Sequence, residues 1–222
     1  MEVISDPVEQ VTALTDFAMA VVAALGIARF ISLLPADRFK AGLWIVIYGL
    51  FINAALLGTA YHGLALGEST LDTLWTGIFI SLGIMVALFV VGLVRDWLGQ
   101  PAAVRAIPVM LVIAAGFIIA SYLMGQDYRL VLAYEALALL AALIGYFMLT
   151  LKGTPGGAAM TVGVALTIIA AVVQAGEFIT FVPAYPVDHN SAYHLIQLAG
   201  VFFLTSGVGR SIEAASPRTL PA

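Results

Sequence analysis

Histidine is the side chain that binds a divalent metal or moves a proton near neutral pH, and this sequence has three: His62, His189 and His194. Three such ligands and a water make a catalytic zinc site, whose water becomes a nucleophile near neutral pH. There is no cysteine, which removes thiolate ligands, disulfides and cysteine nucleophiles together. Ser69, Ser81, Ser121, Ser191 and Ser206 sit in no recognisable nucleophile–base arrangement, so hydrolysis here would depend on the metal. One spacing constrains the site. His189 and His194 are five residues apart, about 140° around a helix, so they share a metal only if His189 lies outside regular helix. Asp188, His189 and Asn190 ahead of an apolar run read as a loop or cap, which would allow it.

Further polar residues group with the histidines. Glu9, Thr12 and Asp16 follow i, i+3, i+7 and share one helix face, as do Asn190, His194 and Gln197 at i, i+4, i+7. Thr59 and His62 end the second apolar stretch, Asp72 opens the third, Glu135 lies about two turns into the fifth, and Gln174 and Glu177 end the sixth. If successive stretches alternate in direction, all of these fall in the same half of the molecule. They predict one polar pocket, lined by Asp16, Glu135, Gln174, Glu177, Asn190 and Gln197 beside the histidines, for a cation, a water network or a lipid head.

The elements that position them are membrane helices. Hydrophobic residues make up 62% of the 222 and charged residues only 10%, against roughly a quarter charged in soluble domains. Seven stretches approach the roughly 20 apolar residues a bilayer helix needs: 8–34, 41–66, 71–94, 104–124, 130–151, 158–175 and 192–212. The breaks between them carry glycine, proline or charge. None alternates apolar with polar as barrel strands would. The expected fold is an all-α bundle of seven transmembrane helices forming one domain over residues 1–222. No internal repeat is visible, which disfavours a repeat-built transporter. Arg29, Arg38, Lys40, Arg95, Arg105, Lys152, Arg210 and Arg218 fall on one side and Arg129 on the other, which places the N-terminus outside and the C-terminus in the cytoplasm. The acidic start does not read as a secretory signal. No basic run suggests nucleic acid, so the expected partner is membrane lipid.

Gly58-Thr59-Ala60-Tyr61-His62, then Asp72, then His189-Asn190-Ser191-Ala192-Tyr193-His194-Leu195 resembles the CREST superfamily of seven-helix membrane hydrolases, which includes alkaline ceramidases and adiponectin-type receptors. Those proteins carry Ser-x-x-x-His at the end of helix 2, Asp at the start of helix 3 and His-x-x-x-His at the start of helix 7. The resemblance implies zinc on His62, His189 and His194, with Asp72 assisting the water or a ligand, Thr59 bonding a developing oxyanion, and hydrolysis of a lipid amide or ester. It also implies a calcium site, for which Glu2, Asp6 and Glu9 are candidates by position. Two places depart from the pattern: Gly58 stands where the family has serine, and Asn190 where it has the first histidine of the helix 7 pair, with His189 one residue earlier.

Whether the chain is an enzyme stays open at this point. A zinc hydrolase of a lipid is one reading. A transporter of small molecules or ions along Asp16, Glu135 and Gln174 is another, and a non-catalytic seven-helix protein with a degraded metal site is a third. A retinal protein is excluded, because a Schiff base needs a lysine in helix 7 and the lysines are Lys40 and Lys152.

Overall fold

The computed structural model describes residues 2–179 and 186–215. Local caps set the helix boundaries. α1 (Pro7–Leu33) starts where the Asp6 carboxylate accepts the Val8 N–H, with proline in its first turn. α2 (Arg38–Gly63) starts at Asp37, whose carboxylate accepts the Lys40 N–H. α3 (Glu68–Leu98) and α4 (Gln100–Leu123) meet at Gly99, whose φ of +83° favours glycine. α5 (Tyr128–Leu151) is capped by Asp127, and α6 (Gly157–Gly176) and α7 (His189–Ala215) complete the set. All seven expected helices are present. The largest shifts are at the α3–α4 join, where Arg95, Asp96 and Trp97 form a last helical turn beyond the apolar stretch.

Each helix is long and apolar enough to cross a membrane. Among the described residues there is no strand. A single antiparallel bridge, Val3 with Leu64, ties the N-terminal segment to the end of α2, helped by Ile4 N–H to Gly63 O and Ala65 N–H to Glu2 O.

α1 packs on α2 and α7, α2 on α3, α3 on α5, α5 on α6 and α6 on α7. These six helices close a ring. α4 stands outside it against α3, with Val109, Val112, Ile119 and Leu123 exposed. Alternating helix directions give the bundle two ends. The N end carries the starts of α1, α3, α5 and α7, and the C end the starts of α2, α4 and α6.

The C half has an apolar interior and, at its end, a cavity of about 270 Å³ lined by Arg95, Asp96, Tyr146 and Ser211. Phe30, Trp44, Tyr48 and Phe89 form an aromatic cluster in the main core. Nearer the C end Lys40 is only 3% exposed, with Nζ 2.5 Å from Asp96 Oδ1 and donating to Ser211 Oγ at 2.6 Å. The Tyr146 hydroxyl donates to the other Asp96 oxygen, and Arg95 pairs with Asp37. A buried ammonium survives only when paired like this, and the network joins α2, α3, α5 and α7. On the opposite side of α7, Arg29 pairs with Glu213. Seven of the basic residues, Arg29 through Arg210, lie in this half, Arg129 is at the N end, and Arg218 lies outside the described residues.

Candidate functional site

The N end is built on the polar face of α1. Thr12, Thr15 and Asp16 are buried in the bundle although each is polar. Their partners come from α2 and α7. Asp16, 5% exposed, lies against α2 at Gly58, where a Cβ would stand 2.6 Å from Asp16 Oδ2. The carboxylate therefore fills the space a serine side chain would take, and glycine leaves room for it.

His194, 6% exposed, is held at both ring nitrogens. Nδ1 lies 2.9 Å from Thr15 Oγ1 and Nε2 lies 3.3 Å from Asp16 Oδ1. The Thr15 hydroxyl donates to Thr12 O at 2.9 Å. The ring bridges Thr15 and Asp16, and as a neutral imidazole it donates through one nitrogen and accepts through the other.

His62 Nδ1 lies 2.6 Å from Glu9 Oε2, which ties the end of α2 to the first turn of α1. The Thr12 hydroxyl donates to Asp188, and Asp188 caps α7 by accepting the Ser191 N–H at 2.9 Å and the Ser191 hydroxyl at 2.7 Å. Burial pushes the Asp188 carboxyl up, but the two Ser191 bonds and neighbouring His189 outweigh it and hold the group below the usual carboxylate range. Gln174 at the end of α6 donates to Asn190 Oδ1 at 3.1 Å.

These contacts surround a cavity of about 450 Å³ at the N end. Its walls include Asp16, His62, His189 and His194 as well as Gln174, Glu177 and Asn190, with Arg129 and Asp127 from the start of α5. The expected convergence of α1, α2, α6 and α7 on one pocket is thus present. Phe51, Leu82 and Tyr193 also line a second, narrower chamber of about 80 Å³ between the helices. That chamber is walled mainly by Trp44, Ile47, Met85, Val86, Phe89 and Leu139, and it holds Glu135 and Gln197. Of the expected pocket residues, these two belong to the deeper chamber.

Two further expected residues lie outside both spaces. Asp72 is exposed near the start of α3, and Thr59 donates its hydroxyl to Ala55 O at 2.8 Å. α7 begins at His189 itself, so His189 and His194 leave the helix about 140° apart. Among the described residues no three His, Asp or Glu side chains are gathered as a metal ion requires. As arranged, then, the histidines share a cavity without forming a ready zinc site. Glu9 of the expected calcium set is engaged by His62, and Asp6 is spent on the α1 cap.

Thr15 is a site residue that the sequence reading missed, and Gly58, a departure from the serine motif, is the contact of Asp16 on α2. Thr15 lies one helical turn beyond Thr12, and the i, i+3 spacing that links Glu9 to Thr12 also links Thr12 to Thr15.

Fold and site together define a class: an apolar seven-helix bundle with a polar, histidine-lined cavity at one end. The chain belongs to a family of unknown function, DUF6962, whose model matches residues 11–213. No curated protein and no solved structure matches it.

Proposed function

We propose that the chain is a multi-pass membrane protein, N-terminus outside and C-terminus in the cytoplasm, that binds a single-chain membrane amphiphile through its N end. Seven apolar helices and the gathering of Lys and Arg at the C end support the topology. The observation that carries the binding reading is the shared wall of Phe51, Leu82 and Tyr193 between the histidine cavity and the apolar chamber. A polar head and an apolar chain would each meet matching chemistry. The head would face donors and acceptors from Asp16, Asn190 and the histidines, with Arg129 at hand for an anionic group. The chamber's volume of about 80 Å³ admits only a short part of one chain, with the rest left to the wider cavity.

Native mass spectrometry of the purified protein tests this. A bound lipid mass is expected on the wild type and not on Ala138→Phe, which fills the chamber wall. Wild-type protein free of lipid after mild detergent extraction would refute the reading.

A second reading is hydrolysis of a lipid amide or ester with zinc on His62, His189 and His194. The observation favouring it is that all three line one cavity. It requires His194 to release Asp16 or Thr15, and it leaves Asp72 and Thr59 without the roles the resemblance gives them. Elemental analysis decides it: one zinc per chain, lost in both His62→Ala and His194→Ala, supports it, and none in the wild type removes it.

A further inference from the structure

Glu135 has no hydrogen-bond or ion-pair partner among the described residues, although it lines an otherwise largely apolar chamber inside the bundle. Gln197, 5% exposed, lines the same chamber with its Oε1 unpartnered. Glu135 lies about 10 Å from the start of α5 and Gln197 about 12 Å from the start of α7, so the two sit at matching depth. A neutral carboxyl supplies the donor that the unpartnered Gln197 Oε1 lacks, which an ionised carboxylate cannot do.

No charge in the surroundings favours the ionised form. Of the chamber's other lining residues only Tyr48 of α2 and Tyr193 of α7 are titratable, and both are neutral near pH 7. α6 has no ionisable residue. The ionisable groups of α3 are Glu68 and Asp72 at its start and Arg95 and Asp96 at its end, and α4 contributes Arg105 at the C end and Tyr122 near the N end. On α5 itself Tyr134 donates to Gly83 O and Tyr146 to Asp96, while Arg129 stands at the rim. The cavity above holds Asp16, His62, His189, His194, Asp127 and Glu177.

We infer that the chamber is a proton-coupled site for a hydrocarbon chain: when the chain enters and displaces water, Glu135 takes up one proton from the aqueous cavity above. The inference rests on reading the N-end cavity as an amphiphile site. Its physical basis is that an ionised carboxylate cannot stay unpaired in an apolar, dehydrated space, so it neutralises instead. The protonated form then donates toward Gln197. Chain binding and proton binding at Glu135 therefore strengthen each other, and loss of the proton at higher pH expels the chain.

The test uses brominated hexadecanol, whose head does not titrate, with the full chain carrying Trp75→Phe and Trp97→Phe. Trp44 lines the chamber and is 1% exposed, so bromine inside quenches it more strongly than bromine in the surrounding amphiphile, and only the inside share is competed away by unlabelled hexadecanol. Probe retention is followed independently by native mass spectrometry. Affinity read by Trp44 quenching should fall by up to tenfold per pH unit once Glu135 ionises in the empty chamber. In Glu135→Gln it should hold at the low-pH value throughout, and Glu135→Leu should be equally insensitive to pH. Quenching with the same affinity at every pH in the unmutated chamber would overturn the coupling. Probe retained without Trp44 quenching would overturn the chamber assignment while leaving the amphiphile reading standing. A probe that is not retained at all would refute both.

Discussion

Gly58→Ala is the substitution most informative about the polar cluster. The added Cβ would stand 2.6 Å from Asp16 Oδ2 and 2.9 Å from Asp16 Cγ, where ordinary contact begins near 3.4 Å. The carboxyl must move by roughly 0.5–1 Å, away from its 3.3 Å approach to His194. Such overpacking costs about 1–3 kcal/mol. Replacing glycine inside a helix returns about 0.5–1 kcal/mol, so the net loss is about 0–2.5 kcal/mol, and the loss relative to an unclashed glycine-to-alanine change is about 1–3 kcal/mol. Gly49 supplies the control: it lies in the same helix, and a Cβ there meets nothing within 4 Å. Thermal unfolding in detergent should show Gly49→Ala at or above wild type and Gly58→Ala below Gly49→Ala by about 2–12 °C. Asp16→Ala in the Gly58→Ala background should remove the clash, so the double variant loses less than the two single losses summed. Gly58→Ala as stable as Gly49→Ala would refute the placement of Asp16 against α2.

Other consequences follow from single contacts. Lys40→Met leaves the largely buried Asp96 without its ammonium partner and should cost up to about 3–5 kcal/mol, read by thermal unfolding; Lys40→Met with Asp96→Leu should recover much of that loss. Asp188→Ala removes the α7 cap and should cost about 0.5–2 kcal/mol. The Asp188 carboxyl is depressed in the folded state, so its contribution is fully present above the ordinary carboxylate value of about 4 and is lost as pH falls below it. Unfolding scans from pH 3 to 7 should therefore show the wild type losing its advantage over Asp188→Ala only at the acid end, and a constant difference would contradict the cap chemistry.

The helices could be read from the sequence because lipid-length apolar runs and their caps are local signals: Asp6 with Pro7, Asp37, Gly99 and Asp127 mark starts that the structure retains. The gathering of His62, His189, His194 and Asp16 was equally legible, since helix parity alone puts them at one end. Neighbour relations were not. The helices are apolar on nearly every side, so no stripe distinguishes the ring from α4, which stands outside it. Nor could sequence separate two spaces: Glu135 and Gln197 share the N half with the histidines but face the inner chamber. Gly58 reads as a gap in a serine motif until the structure shows the Asp16 carboxylate in its place. Asp72 matches the motif by position yet is exposed, because position near a helix start does not fix which face of the helix a residue takes.

Photolabelling tests the amphiphile reading most directly. A single-chain lipid with a diazirine near its tail end would be activated in vesicles containing the protein, and the labelled residues mapped by peptide mass spectrometry. The account predicts label on chamber residues such as Val86, Ala138 and Leu139, competed by excess unlabelled lipid. Label confined to outward-facing residues such as Val112, Leu137 and Phe202, with the chamber untouched, would contradict it.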